Sequence, residues 1–215
     1  MFIQTLLLMA FLAADWRSAF DVSKRDLGPT GRNGYFILEP GYKLHFKGGK
    51  TSMIMTVLNE TKMIDGVETR VVEDREWENG KLAEVTRDYY AIDRKTGDVY
   101  YFGEDVDVYK NGKVASHKGS WLSGIKGAQF GLYMPAKPVV GDRFQQEVAP
   151  RNKAVDRSEV IAIGETVKTP AGTFEKCVHM KDSSRLEPTA DHKFYAPGVG
   201  LLKDAELELV KIERN

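Results

Sequence analysis

The sequence predicts a mainly β protein, an antiparallel up-and-down meander curled into a barrel or half-barrel, with a long covering loop and a short N-terminal helix. Three observations carry this. Four β-favouring runs follow one another, Thr51 to Met63, Val67 to Trp77, Leu82 to Asp93 and Asp98 to Lys110. They are separated by Asp65-Gly66, Asn79-Gly80 and Lys95-Thr96-Gly97, and Asn111-Gly112 closes the last. Asp-Gly and Asn-Gly are strong hairpin signals because a primed turn needs positive φ. Long strands joined by such minimal turns accumulate twist and curl, where a flat sheet would leave open edges.

Taken in order, residues 1–14 carry the apolar run Leu6 to Ala14, too short to span a bilayer as a helix and read as an export leader. Residues 15–34 read as a linker with a short helix over Asp15 to Arg25, ending in the turn-rich Gly28 to Gly34. A single barrel-like domain is expected over 35–215. It starts with short strands at Tyr35 to Leu38 and Tyr42 to Phe46, parted by Pro40-Gly41 and followed by a Gly48-Gly49 hairpin. In the next run Met53, Met55 and Val57 share one face. In Val67 to Trp77 the alternation blurs after Val72, which suggests a bulge or a partly polar lumen.

Gly119 to Pro138 is too rich in glycine and proline for a strand and too long for a hairpin turn, so it is the expected covering loop. Strands resume at Arg143 to Val148, Asp156 to Ile163 and Phe174 to Lys181. Asp191 to Tyr195 and a last strand from Val199 to about Ile212 follow, the last with Leu207 and Leu209 inward.

Composition narrows the function. Lys plus Arg and Asp plus Glu both total 31, so no net field draws nucleic acid or an anionic membrane. One cysteine, Cys177, allows no intrachain disulfide and no thiolate cluster. The four histidines, His45, His117, His179 and His192, show no close-spaced ligand pair, and the acidic run lacks the EF-hand spacing. No nucleophile elbow, Walker loop or dinucleotide fingerprint is present. No metal and no cofactor is assigned.

The segments TPAGTF (Thr169 to Phe174) and YAPGVGLLK (Tyr195 to Lys203) resemble the closing part of a group of exported bacterial β-barrel proteins of unknown function. YYFGEDVDVY, HKGSW, MPAKPVVGD, QEVAP and DRSEV extend the resemblance over roughly 51–203. It implies a secreted or periplasmic β-rich fold, related in architecture to lipoprotein-carrier half-barrels, and implies no activity or catalytic residues.

The densest stretch in binding groups is Tyr100 to Trp121. In an ideal strand Asp105 and Asp107 share a face with Tyr101 and Tyr109. Glu104 then falls with Tyr100, Phe102, Val106 and Val108, an apolar face on which a carboxylate must be paired, ligated or protonated. A bulge at Gly103 would shift that phase and turn Glu104 outward. The candidate ligand-binding residues are Tyr101, Glu104, Asp105, Asp107, His117, Trp121, Met134 and Glu147. The leading expectation is an exported, non-enzymatic binding protein for a small apolar or amphipathic ligand, the methionines and aromatics lining its cavity. Alternatives are a metal- or carboxylate-dependent hydrolase using Glu104, Asp105, Asp107 and Glu147, and a structural envelope protein without a ligand.

Overall fold

The computed structural model describes residues 15–186 and 188–214; the expected leader lies outside them. The chain runs through β1 (Leu27–Gly28), β2 (Lys43–Gly48), β3 (Thr51–Ile64), β4 (Val67–Glu78), β5 (Lys81–Asp93), β6 (Val99–Lys110), β7 (Lys113–Ser116) and β8 (Trp121–Leu122). It continues through β9 (Gln129–Met134), β10 (Arg143–Gln145), β11 (Glu147–Val148), β12 (Asp156–Thr169) and β13 (Gly172–Ser184). The last strands are β14 (Ala190–Ala196), β15 (Gly200–Asp204) and β16 (Leu207–Glu213).

These strands form one antiparallel sheet ordered β10-β12-β13-β14-β15-β16-β2-β3-β4-β5-β6-β9-β11. The two ends, β10 and β11, are separated in the chain by Gln146 alone, so the sheet is a nearly closed barrel whose seam is one continuous stretch of backbone. Gly131 of β9 makes that seam: a Cβ there would run into the Gln145 and Gln146 carbonyl oxygens.

The hairpins fall where the turn residues put them. Asp65-Gly66, Asn79-Gly80 and Asn111-Gly112 all have positive φ at both positions, the type I′ requirement that matches strand twist. The turns at 48–50 and 79–80 lie at one end of the barrel, where the Asn79 N–H bonds the Lys50 carbonyl. The opposite end is plugged by residues 33–42. The Asn33 side chain bonds the Gly97 and Met134 carbonyls, the Gly198 N–H bonds the Gly34 carbonyl, and Phe36 and Leu38 are buried beneath. Phe46, Leu44 and Leu209 fill the wall between β2 and β16, each worth about 1.5–3 kcal/mol for leaving water.

Four expectations change. The N-terminal helix is absent: among the described residues the only helical turns are two 3-10 turns, Lys24–Asp26 and Pro150–Asn152. Residues near Arg17 are extended instead, because the free edge of β10 satisfies their backbone; Arg17 N–H bonds the Arg143 carbonyl and its own carbonyl accepts from Gln145. Trp16 rests under the Arg143 and Arg157 guanidinium groups and Phe20 on Tyr100. The stretch expected as a covering loop instead supplies β8 and β9, which extend the wall beyond β6. Tyr35 to Leu38 is plug, held by a lone bridge between Arg32 and Ile37. The last strand is two, folded back at Ala205-Glu206, with Asp204 opposite Leu207.

Candidate functional site

Strand register decides what the barrel encloses. Residues directly opposite in an antiparallel pair share a face. Across β3, β4, β5 and β6 the inward face therefore reads as three rungs. Met53, Glu76, Glu84 and Val108 lie nearest the 79–80 turn, then Met55, Asp74, Thr86 and Val106, then Val57, Val72, Asp88 and Glu104. Below the third rung stand Tyr90, Tyr101 and Tyr133. Tyr90 and Tyr101 stack at 5.0 Å, Tyr133 meets Tyr90 edge-on at 4.8 Å, and Trp121 meets Tyr101 edge-on at 5.4 Å. The opposite wall adds Glu147, Asp156, Lys193 and Asp204.

These groups surround a cavity of about 270 Å³, close to the ~300 Å³ lower edge of small-molecule sites. Eight carboxylates line it, from Asp74, Glu76, Glu84, Asp88, Glu104, Glu147, Asp156 and Asp204, against the single ammonium of Lys193. That ammonium is already committed, 3.2 Å from Asp182 and 3.3 Å from Asp204. Burial alone would lower its pKa, but Asp204 and Asp182 outweigh this and hold it charged.

The deep carboxyls are pushed toward the neutral form. Glu104 rises to about 9, first through burial and then through Asp88 and Glu147. Glu147 rises to about 8, through burial and then Asp156, although the Asp156 N–H that bonds it favours its anion. Asp88 rises only to about 6, because burial is opposed by the Tyr101 hydroxyl that donates to it. Asp74 is pushed well up, by burial and then Asp88, and its Oδ1 has no hydrogen-bond partner among the described residues.

Gly103 explains the inward turn of Glu104. Its φ is +126, and a Cβ there would collide with the Trp121 carbonyl oxygen of β8. The bulge is real, but it places Glu104 on the Tyr101 face, and that face is the lumen. Tyr100 and Phe102 go the other way, against Phe20 and Phe130. The expectation that Glu104 either joins Tyr100 and Phe102 or turns outward is therefore corrected.

Of the sequence-predicted residues, Tyr101, Glu104 and Glu147 meet at the cavity, with Trp121 packed behind Tyr101. Asp105, Asp107 and His117 lie on the outer face. Asp105 accepts from Lys62 at 2.7 Å and Tyr89 at 2.6 Å; burial works to raise its pKa, and these bonds outweigh it. His117 Nδ1 lies 2.8 Å from Asp107 and 3.0 Å from the Val106 carbonyl. Met134 is fully buried in the wall. Asp74, Glu76, Glu84, Asp88, Lys193 and Asp204 are not among the residues that the sequence singles out; the blurred alternation after Val72 is a trace only of the two in β4.

Among the described residues, no group of three or more His, Cys, Asp or Glu side chains is arranged to hold a metal ion, and no helix is long and apolar enough to cross a membrane.

No protein-family model and no curated protein matches the chain. Two solved structures are similar to it. One, from Bacteroides fragilis, is inferred to be exported and described as having a YmcC-like fold; it is 14% identical over 85% of this chain and 100% of its own, with a TM-score of 0.41. The other, inferred to be a lipoprotein, comes from Parabacteroides distasonis and is 13% identical over 86% of this chain and 100% of its own, with a TM-score of 0.40.

Proposed function

We propose that this chain is an exported binding barrel whose lumen takes a small organic cation, an amine or short polyamine with some hydrocarbon. One observation carries the reading: eight carboxylates face the cavity, and its one ammonium is held by Asp182 and Asp204. An entering ammonium would draw Glu104 and Glu147 to the ionised form and release their protons to solvent. Met53 and Met55 would take the hydrocarbon, and the Tyr90 and Tyr101 rings could face the charge. A fatty acyl chain fits poorly, since it would strip water from carboxylates and return nothing. Export rests on the apolar leader and the sequence resemblance.

Hydrolysis is less well supported by the site. Of the four carboxylates that reading calls on, Asp105 and Asp107 lie on the outer face, apart from Glu104 and Glu147 in the lumen. His117 is on the outer face.

Isothermal titration at pH 8 and low salt, with 1,4-diaminobutane and with palmitate, tests the reading. The diamine is expected to bind, to weaken with added salt and to lose at least about tenfold in affinity in Glu104→Gln. Palmitate binding without diamine binding would overturn it.

A further inference from the structure

A second group of donors stands outside the lumen and owes nothing to the reading above. β13 and β14 pair with His179 opposite Phe194 and Lys181 opposite His192. Lys193 points inward, so its neighbours His192 and Phe194 point out. His179 and His192 are therefore diagonal neighbours on the outer face, and their rings meet, with His179 Nε2 2.7 Å from His192 Nδ1.

The His179 ring is fixed from two other sides. It stacks on Phe194 at 4.3 Å and 18°, and its Nδ1 faces Glu165 Oε2 at 3.7 Å. The two facing nitrogens share one proton, donated by one ring to the lone pair of the other, and Glu165 adds a negative charge nearby without a hydrogen bond.

Two adjacent imidazole nitrogens suit a first-row transition metal once the proton between them moves away and the rings turn so that both lone pairs converge on one point. Among divalent metals copper(II) stands highest in intrinsic affinity for imidazole sites. We infer that His179 and His192 form a surface half-site for copper(II), with Glu165 as a nearby negative charge and solvent completing a tetragonal shell. On binding, the ring that donates in the free pair moves its proton through solvent to its other nitrogen, so that both facing nitrogens offer lone pairs to the metal.

The test uses the full chain, stripped with chelator and titrated with copper(II) chloride at pH 7.5. The expected result is one equivalent bound, with an axial electron paramagnetic resonance spectrum showing two-nitrogen coupling. His179→Gln and His192→Gln should each weaken this binding at least tenfold, while the double variant His45→Gln/His117→Gln leaves it unchanged. Circular dichroism confirms that each variant is folded; a misfolded His179→Gln leaves the exposed His192→Gln to decide. Glu165→Gln, which removes only the nearby charge, should weaken binding by less than either histidine variant. Binding that persists in His192→Gln, that disappears with His45 and His117, or that is absent altogether overturns the assignment.

Discussion

The Tyr101 hydroxyl donates a 2.6 Å hydrogen bond to Asp88 Oδ1 at the foot of the acidic lumen. The bond ties the aromatic floor to the first carboxylate above it and holds the Asp88 pKa below where burial would take it. Tyr101→Phe keeps the stack on Tyr90 and removes the donor. Urea denaturation at pH 8 should show a loss of about 1–2 kcal/mol, and the Asp88 carboxyl, followed by NMR, should titrate higher than in the parent.

Glu104 sets the pH dependence of stability. Its folded pKa of about 9 lies above the unfolded value near 4.5, so folding favours its neutral form. Stability from this group is whole below pH 4.5 and is lost as the pH rises toward 9. Glu147, at about 8, acts in the same direction. Glu104→Gln is therefore expected to leave the thermal midpoint nearly unchanged at pH 4.5 and to raise it by several degrees at pH 9, read by calorimetry. A midpoint that falls at pH 9 would show the carboxylate to be satisfied as an anion.

Gly103→Ala tests the bulge. The substitution asks a residue with a Cβ to hold φ +126 against the Trp121 carbonyl. A loss of more than about 2 kcal/mol is expected in urea titration. Gly112→Ala is the control: it too has positive φ, 73°, but nothing within 4 Å of the added methyl, and should cost about half as much or less.

Lys193→Met leaves Asp182 and Asp204 without their shared ammonium. Breaking such a buried pair from one side costs about 3–5 kcal/mol. Denaturant midpoints at pH 8, with the parent alongside, give the comparison.

The meander was legible in the sequence because its turns are local. Asp65-Gly66, Asn79-Gly80 and Asn111-Gly112 state their backbone conformation in two letters, and the strands between them follow. Ala205-Glu206 makes a turn without such letters, so β15 and β16 read as one strand. β9 was hidden because a glycine-rich segment can be wall when another backbone needs to come close, as Gly131 allows Gln145 and Gln146. The N-terminal stretch was read as helix because its partner edge at β10 lies far along the chain. The site was half legible for the same reason. Tyr101, Glu104 and Glu147 stand out by composition, whereas Asp74, Asp88 and Lys193 become lumen residues only once cross-strand register is set. The His179 and His192 pair is likewise a product of register, since thirteen positions separate the two.

The sheet order carries a consequence for how the chain reaches this state. Along the closed path most neighbours are joined by short connections, and the pairing of β2 with β16, which sets Leu44 opposite Ile212, joins the two ends of the chain. Hairpins such as β3-β4 and β12-β13 can form early and independently, each from nearby residues. Joining the two arcs brings together residues about 170 positions apart and meets the loop-closure entropy of that long span at once. By the topology, that docking is the step expected to set the folding rate.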